Sequence, residues 1–364
     1  MNNNLFNFAG SELSQDAFIC WLCNWINYET KKPELNLLAR KFLNMMLGDK
    51  CAEYKNSLYI HRQFGDSYNK IDALLIIENK YVVIIEDKTY TSEHGDQLVR
   101  YKKLILDLSD DIKKDLHIPL GLKEEDIFAI YFKTGFHYHI DRKVKADVII
   151  DGPAFYNLLS EYRNDSEIID DYCNNLDNSL KWYDDIKRKL EIDHSFKDTL
   201  CHQYGQFLLL EKILPEDFRE FRHGTSFGRP WTNCGIFYVD YNEEINNSSE
   251  CIIFYRVDRK GNRYYISLRQ YEDYYNKNIE AMVARKKEVF YILRDTFKEV
   301  AEEMPELESV IGGNNGAYKE SEFGVFYIEG MNTYNNLVNN LPVFSQRFIE
   351  RLKKTNLKLF IISE

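Results

Sequence analysis

The chain has 364 residues, 44% of them hydrophobic, and a formal net charge of −11. That length allows two domains of ordinary size, the apolar content excludes wholesale disorder, and the acidic balance argues against tight, sequence-independent coating of nucleic acid. No apolar run approaches the ~20 residues a membrane helix needs, and Met1-Asn2-Asn3-Asn4 lacks the basic and apolar regions of a secretory signal, so a cytoplasmic protein without membrane contact is expected.

In chain order, Ser11 to about Tyr28 reads as an amphipathic helix. Leu13, Ala17, Phe18, Trp21 and Trp25 recur at helical spacing, and Ser11 can cap the start. Cys20 and Cys23 form a CxxC in the middle of this apolar stretch, with no second ligand pair nearby, so they read as core packing. Seven cysteines in all suit reduced thiols. A second helix covers Glu34–Leu47, and the pattern then turns to strands at Ser57–Phe64, Lys70–Ile77 and Tyr81–Asp87. The last contains Tyr81-Val82-Val83-Ile84-Ile85, the run expected of a strand buried on both faces. Glu78-Asn79-Lys80 is a short polar turn, so the last two strands should form a hairpin. A helix from about Glu93 to Asp107, a strand at Ile127–Phe132, and helices at Pro153–Tyr162, Glu167–Leu190 and Phe196–Ile213 follow. Beyond Trp231 the expected elements are strands at Gly235–Tyr241, Cys251–Val257, Arg263–Arg269 and Gly324–Glu329. Helices are expected at Asn278–Met304 and Thr333–Lys354. The fold class expected is therefore α/β, with a mixed sheet flanked by helices in residues 1–190 and a second α+β domain in 191–364.

Strand alternation places Glu86 and Lys88 on one face and Asp87 on the other. Asp72 lies on the neighbouring strand, and in an antiparallel hairpin it meets Glu86 near the open end. Two adjacent carboxylates repel and call for a cation. Hard oxygen ligands with room for water suit Mg2+ or Mn2+.

Asp72 followed by Glu86-x-Lys88 on a hairpin resembles the PD-(D/E)XK nuclease signature, with Ile71 where a proline often stands. Gln97-Leu98-Val99-Arg100-Tyr101 is similar to the QxxxY element of the RecB-like and lambda-exonuclease-like branch. Glu12 matches the acidic residue these folds often carry on the first helix. The resemblance covers the first half of the chain and implies a restriction-endonuclease-like core that hydrolyses phosphodiester bonds. It implies a metal held by Glu12, Asp72 and Glu86, with the carbonyl of Asp87 as a further ligand. Lys88 would orient or activate the attacking water, Gln97 would reach that water or the scissile phosphate, and Tyr101 would help hold the substrate. Products should carry a 5′-phosphate. Lys102 and Lys103, directly after Tyr101, are placed to contact phosphates. DNA is favoured over RNA as partner, and a homo-oligomer is allowed. The alternative is a nuclease-like fold that no longer cuts and recruits nucleic acid or a protein.

Other motifs carry less. Gly312-Gly313-Asn314-Asn315-Gly316 reads as a turn rather than a nucleotide cradle. His137-Tyr138-His139 lacks a third ligand and reads as surface.

Overall fold

The computed structural model describes residues 4–8, 11–48, 50, 57–65, 69–91, 96–137, 141, 144–214, 220–226, 228–240, 250–272 and 275–361. The chain divides into two compact units, Met1–Tyr183 and Asp184–Glu364.

The first unit opens with α1 (Ser11–Asn24) and α2 (Pro33–Leu47). Pro33 stands at the helix start, where its missing N–H costs no hydrogen bond. A five-stranded sheet follows in the spatial order β1 (Leu58–Gly65), β2 (Lys70–Ile77), β3 (Tyr81–Lys88), β4 (Ile127–Lys133), β5 (Val148–Asp151). The first three strands run antiparallel, whereas β3, β4 and β5 are parallel. Parallel pairing requires a crossover, supplied between β3 and β4 by α3 (Gln97–Asp107) and α4 (Asp110–Asp115). After β5 come α5 (Gly152–Ser160) and the long α6 (Glu167–Glu191), which runs across the division between the two units.

β3 shows why its sequence is nearly all apolar. Val82 and Ile84 face one core with Leu98, Tyr101 and Ile105 of α3. Val83 and Ile85 face a second core built from α1, α2, α5 and α6. Helices on both faces leave no polar position along the strand until its end. The β2–β3 hairpin is present, and its turn places Glu78 and Asn79 in the left-handed region at φ 54° and 48°. The helix expected from Glu93 begins at Gln97, where Asp96 turns the chain with φ 54°; residues 92–95 lie outside the described set. β5 was not expected, being only four residues long.

The second unit carries α7 (Phe196–Thr199), α8 (Gln203–Ile213), β6 (Glu220–Ser226), β7 (Arg229–Asp240), β8 (Glu250–Lys260), β9 (Arg263–Glu272), α9 (Glu280–Glu302), β10 (Ser309–Ile311), β11 (Glu320–Ile328), α10 (Met331–Leu352) and β12 (Lys358–Ile361). Its seven-stranded sheet runs β10-β11-β9-β8-β7-β12, with β6 also paired to β7, and every pairing is antiparallel. The single helix expected over Phe196–Ile213 is broken, because His202 is extended at φ −115° and ψ 143°. Gly205 permits the break: a Cβ there would lie 2.2 Å from the Thr199 carbonyl oxygen. β6, β10 and β12 were not expected; the first is a largely polar strand, and the other two are short. Phe290 and Phe297 of α9, Phe344 and Phe348 of α10, and Phe323 and Phe326 of β11 make the centre of this unit's core.

Candidate active site

The regular pairing of β2 with β3 ends at Ala73 opposite Ile85. The next position on each strand is Asp72 and Glu86, and here a side chain replaces the backbone ladder: Asp87 N–H donates to Asp72 Oδ2 at 2.8 Å. The Asp72 carboxylate is thereby fixed beside the end of β3. On its other side stands β1, where the pairs Arg62–Ala73 and Phe64–Ile71 bracket Gln63 in the same cross-strand row. Gln63 has φ 56°, and its Nε2 donates to Asp72 Oδ1 at 3.1 Å and to Asp16 Oδ2 at 2.6 Å.

Lys88 follows Glu86 by two residues, so both point to one face. Its ammonium donates to Glu86 Oε1, lies 4.0 Å from Asp72 Oδ2, and donates to the Asp87 carbonyl at 3.2 Å. Glu86 is 1% exposed. A buried carboxylate beside a second one is stable only with positive charge at hand, and Lys88 supplies it.

Asp87 takes the opposite direction. Its Oδ1 accepts from Gln15 Nε2, and Gln15 Oε1 accepts in turn from Thr134 Oγ1 at 2.7 Å and the Tyr172 hydroxyl at 2.8 Å. Asp87 Oδ2 meets no hydrogen-bond donor among the described residues, and the Asp87 carboxyl shares a hydrogen bond with Asp16 that raises Asp87 and lowers Asp16, so that Asp87 is the donor. Two carboxyls make a hydrogen bond only when one is protonated. Burial, and then the Asp72 charge, push Asp16 up to about 6; burial likewise raises Asp87 well above the carboxylate range, against the hydrogen bond from Gln15.

The QxxxY pair sits on α3 beside the carboxylates. Gln97 Nε2 donates to the Tyr101 hydroxyl at 3.1 Å, and that hydroxyl donates to the Lys70 carbonyl at 2.8 Å, pinning α3 to the start of β2. Tyr101 is buried, and its pKa is pushed up to about 12 by burial first and the Glu86 charge second. Lys102, one residue on and therefore turned by about 100°, instead pairs with Asp147 at 2.7 Å, and Lys103 is exposed. Neither lysine is brought to the carboxylates by a contact among the described residues.

The structure thus gathers Asp72, Glu86, Lys88, Gln97 and Tyr101, with the Asp87 carbonyl against Lys88. The Glu12 side chain lies outside the described residues. Asp16, one helical turn further along α1, stands at the cluster, and sequence reasoning missed it together with Gln63 and Gln15. The acidic residue at helical spacing after Glu12 was the available signal for Asp16; Gln63 offered none, since its place depends on the register of β1.

No three His, Cys, Asp or Glu side chains among the described residues form a cage that could hold a metal. Mg2+ does not require one, being held ordinarily by one or two carboxylates with water and substrate phosphate completing the shell. Asp72 and Glu86, mutually repelling and all oxygen, fit that requirement. Elsewhere, Cys20 is pushed up to about 12 and Cys23 well above the thiol range, chiefly by burial; both are poor metal ligands in this state. His137 is half-buried and its pKa is lowered by burial, while Tyr138 and His139 lie outside the described residues. No described helix is long and apolar enough to cross a membrane.

No curated protein and no solved structure matches the chain. A family model does: that of the PD-(D/E)XK nuclease superfamily matches residues 3–188. That span takes in the five-stranded sheet, the helices on its faces and every residue of the cluster just described. The chain belongs to the PD-(D/E)XK nuclease superfamily.

Proposed function

We propose that the first unit is a Mg2+- or Mn2+-dependent nuclease that hydrolyses phosphodiester bonds, in DNA rather than RNA and by internal rather than terminal cuts. The observation that carries this reading is the meeting of Asp72, Glu86 and Lys88 at the open end of one hairpin. Asp72, Glu86 and Glu12 would hold the ion with the Asp87 carbonyl, and Asp16, one turn further along α1, stands beside Asp72. Bound there, the ion would lower the pKa of water and offset charge on the phosphorane.

The chain's own groups do the rest. Lys88, which donates to Glu86 and lies beside Asp72, would direct its ammonium to the attacking water or the phosphate. Gln97, steadied by Tyr101, offers its amide to the scissile phosphate. Asp87 positions Asp72 through its backbone N–H. Lys102 and Lys103 contact flanking phosphates, Lys102 by exchanging Asp147 for one of them. The leaving 3′-oxygen takes a proton from solvent, giving a 5′-phosphate and a 3′-hydroxyl. A nuclease joined to a second α+β unit suits restriction or defence against invading DNA, with the second unit selecting or sensing the target.

Purified protein should nick or degrade plasmid DNA with Mg2+ or Mn2+ and lose this with EDTA. Lys88→Ala should keep its circular dichroism spectrum and lose at least about 100-fold in rate; undiminished cleavage by that variant would refute the assignment. Side-by-side digestion of supercoiled, linear and single-stranded DNA and of RNA reads out the substrate. A recruiting module would show nucleic-acid binding without carboxylate-dependent metal affinity, and metal titration of Asp72→Asn against the parent separates the two.

A further inference from the structure

A cavity of about 210 Å3 lies between α1, α6 and the chain just beyond β3 and β4. It is joined to the carboxylate cluster twice by the chain itself. Ser14 and Gln15 on its wall immediately precede Asp16, and Thr89 and Tyr90 immediately follow Lys88. Its lining is sharply different from the cluster next door. No described residue on its wall is ionised; the polar groups are the carboxamides of Gln15 and Asn175 and the hydroxyls of Ser14, Thr89, Thr134 and Ser179, set among aromatic rings that include Tyr90, Tyr172 and Tyr183.

That composition excludes most ligands. A phosphate or a carboxylate would need a cation or a helix end, and a metal ion would need carboxylates, thiolates or imidazoles. A purely apolar group would strand the amides. A neutral planar ring with hydrogen-bonding edges satisfies both the amides and the aromatic walls. The volume equals roughly seven waters at about 30 Å3 each, below the range of about 300 Å3 upward for drug-sized ligands, and so suits one ring system rather than a whole nucleotide.

The walls are also pre-set. Tyr172 is stacked on Phe18 at 3.9 Å between centroids and hydrogen-bonded to Gln15, so it presents a fixed face. Gln15 uses one amide hydrogen on Asp87, leaving the second for a ligand. The Asn175 side chain engages no described residue. Tyr90, 51% exposed, stands at the rim where a ring could stack on entering.

We propose that this cavity is a nucleobase subsite, receiving one unstacked base of the strand whose backbone lies at the carboxylates. The inference rests on the nuclease reading of the neighbouring cluster. It adds that substrate is read at one base, and that bound duplex must be opened there or supplied single-stranded.

The test is photo-cross-linking of Lys88→Ala protein, in Ca2+, to single-stranded oligonucleotides carrying 5-iodouracil, with the adduct mapped by mass spectrometry. Light breaks the C–I bond and joins the ring carbon to an adjacent aromatic side chain with loss of HI. The expected adduct is on Tyr90 or Tyr172, and Asn175→Trp, which fills the cavity, should lower its yield by about tenfold. Should that variant fail to fold, Ser179→Leu intrudes from the same helix and should act in the same direction. Adducts only elsewhere, no adduct, or a yield indifferent to these substitutions would overturn the subsite. The nuclease reading is judged apart from this, by cleavage of the unmodified oligonucleotides with the parent protein and Mn2+.

Discussion

Asp16 shows what a single carboxyl can report about a site. Its folded pKa of about 6 lies above the ordinary 3.8 because burial and Asp72 both disfavour its charge. A carboxyl raised in this way binds more protons folded than unfolded between those two values, so it adds stability below about 4 that is lost as pH rises through about 6. In EDTA, the melting temperature of the protein should therefore gain from this group on acidification from pH 7 toward 4.5. Asp16→Asn should flatten that part of the profile in a thermal melt; an unchanged slope would place the shift elsewhere. At this scale the sequence was legible where the chemistry is local. Glu86-x-Lys88 needed only alternation, and Gln97 with Tyr101 only one helical turn. Gln63 was illegible because its neighbours in space, Asp16 and Asp72, arrive from two other elements.

At the scale of elements, Gln15 is the link between α1 and the ends of β3 and β4. Replacing it with leucine strands Asp87, Thr134 and Tyr172 in a buried place, at about 1–3 kcal/mol for each group left without a partner. Chemical denaturation should show a loss of several kcal/mol for Gln15→Leu, with Gln15→Glu also impaired by a further buried carboxyl beside Asp87 and Asp16. The second unit holds the reverse case. Lys286 of α9 is fully buried, its Nζ makes no hydrogen bond among the described residues, and its pKa is lowered chiefly by burial. Lys286→Met keeps the length and removes the charge, and should raise stability by about 1–3 kcal/mol. The helices and central strands were readable from their periodicity, since long apolar patterns dominate local preference. The break between α7 and α8 was not, because it follows from the contact of Gly205 with Thr199, which no period encodes.

At the scale of the molecule, the two units are built on separate cores: the residues clustered behind the first sheet run from Phe18 to Tyr172 and beyond, while those of the second lie between Leu190 and Leu357. Phe344, fully buried and within 5.3 Å of Phe297 between ring centroids, is central to the second. Phe344→Ala should cost about 3–5 kcal/mol and lower the unfolding midpoint of that unit, while DNA cleavage measured below the transition persists. Loss of cleavage with the first unit still folded would show that the second participates in catalysis. The amino-acid pattern announced both units, yet only the first carried chemistry that alternation and helical spacing could expose.

The turn at Glu78 and Asn79 has a consequence far from where it lies. Because it closes β2 on β3 with Ile77 against Tyr81, it also decides which residue faces Glu86 at the other end of the ladder. One residue inserted there would advance one strand past the other and send Asp72 to the wrong face. The remote bend is thus the index mark against which the cutting edge is set, and a deletion or insertion scan of residues 78–80 should silence the enzyme without touching any group that does chemistry.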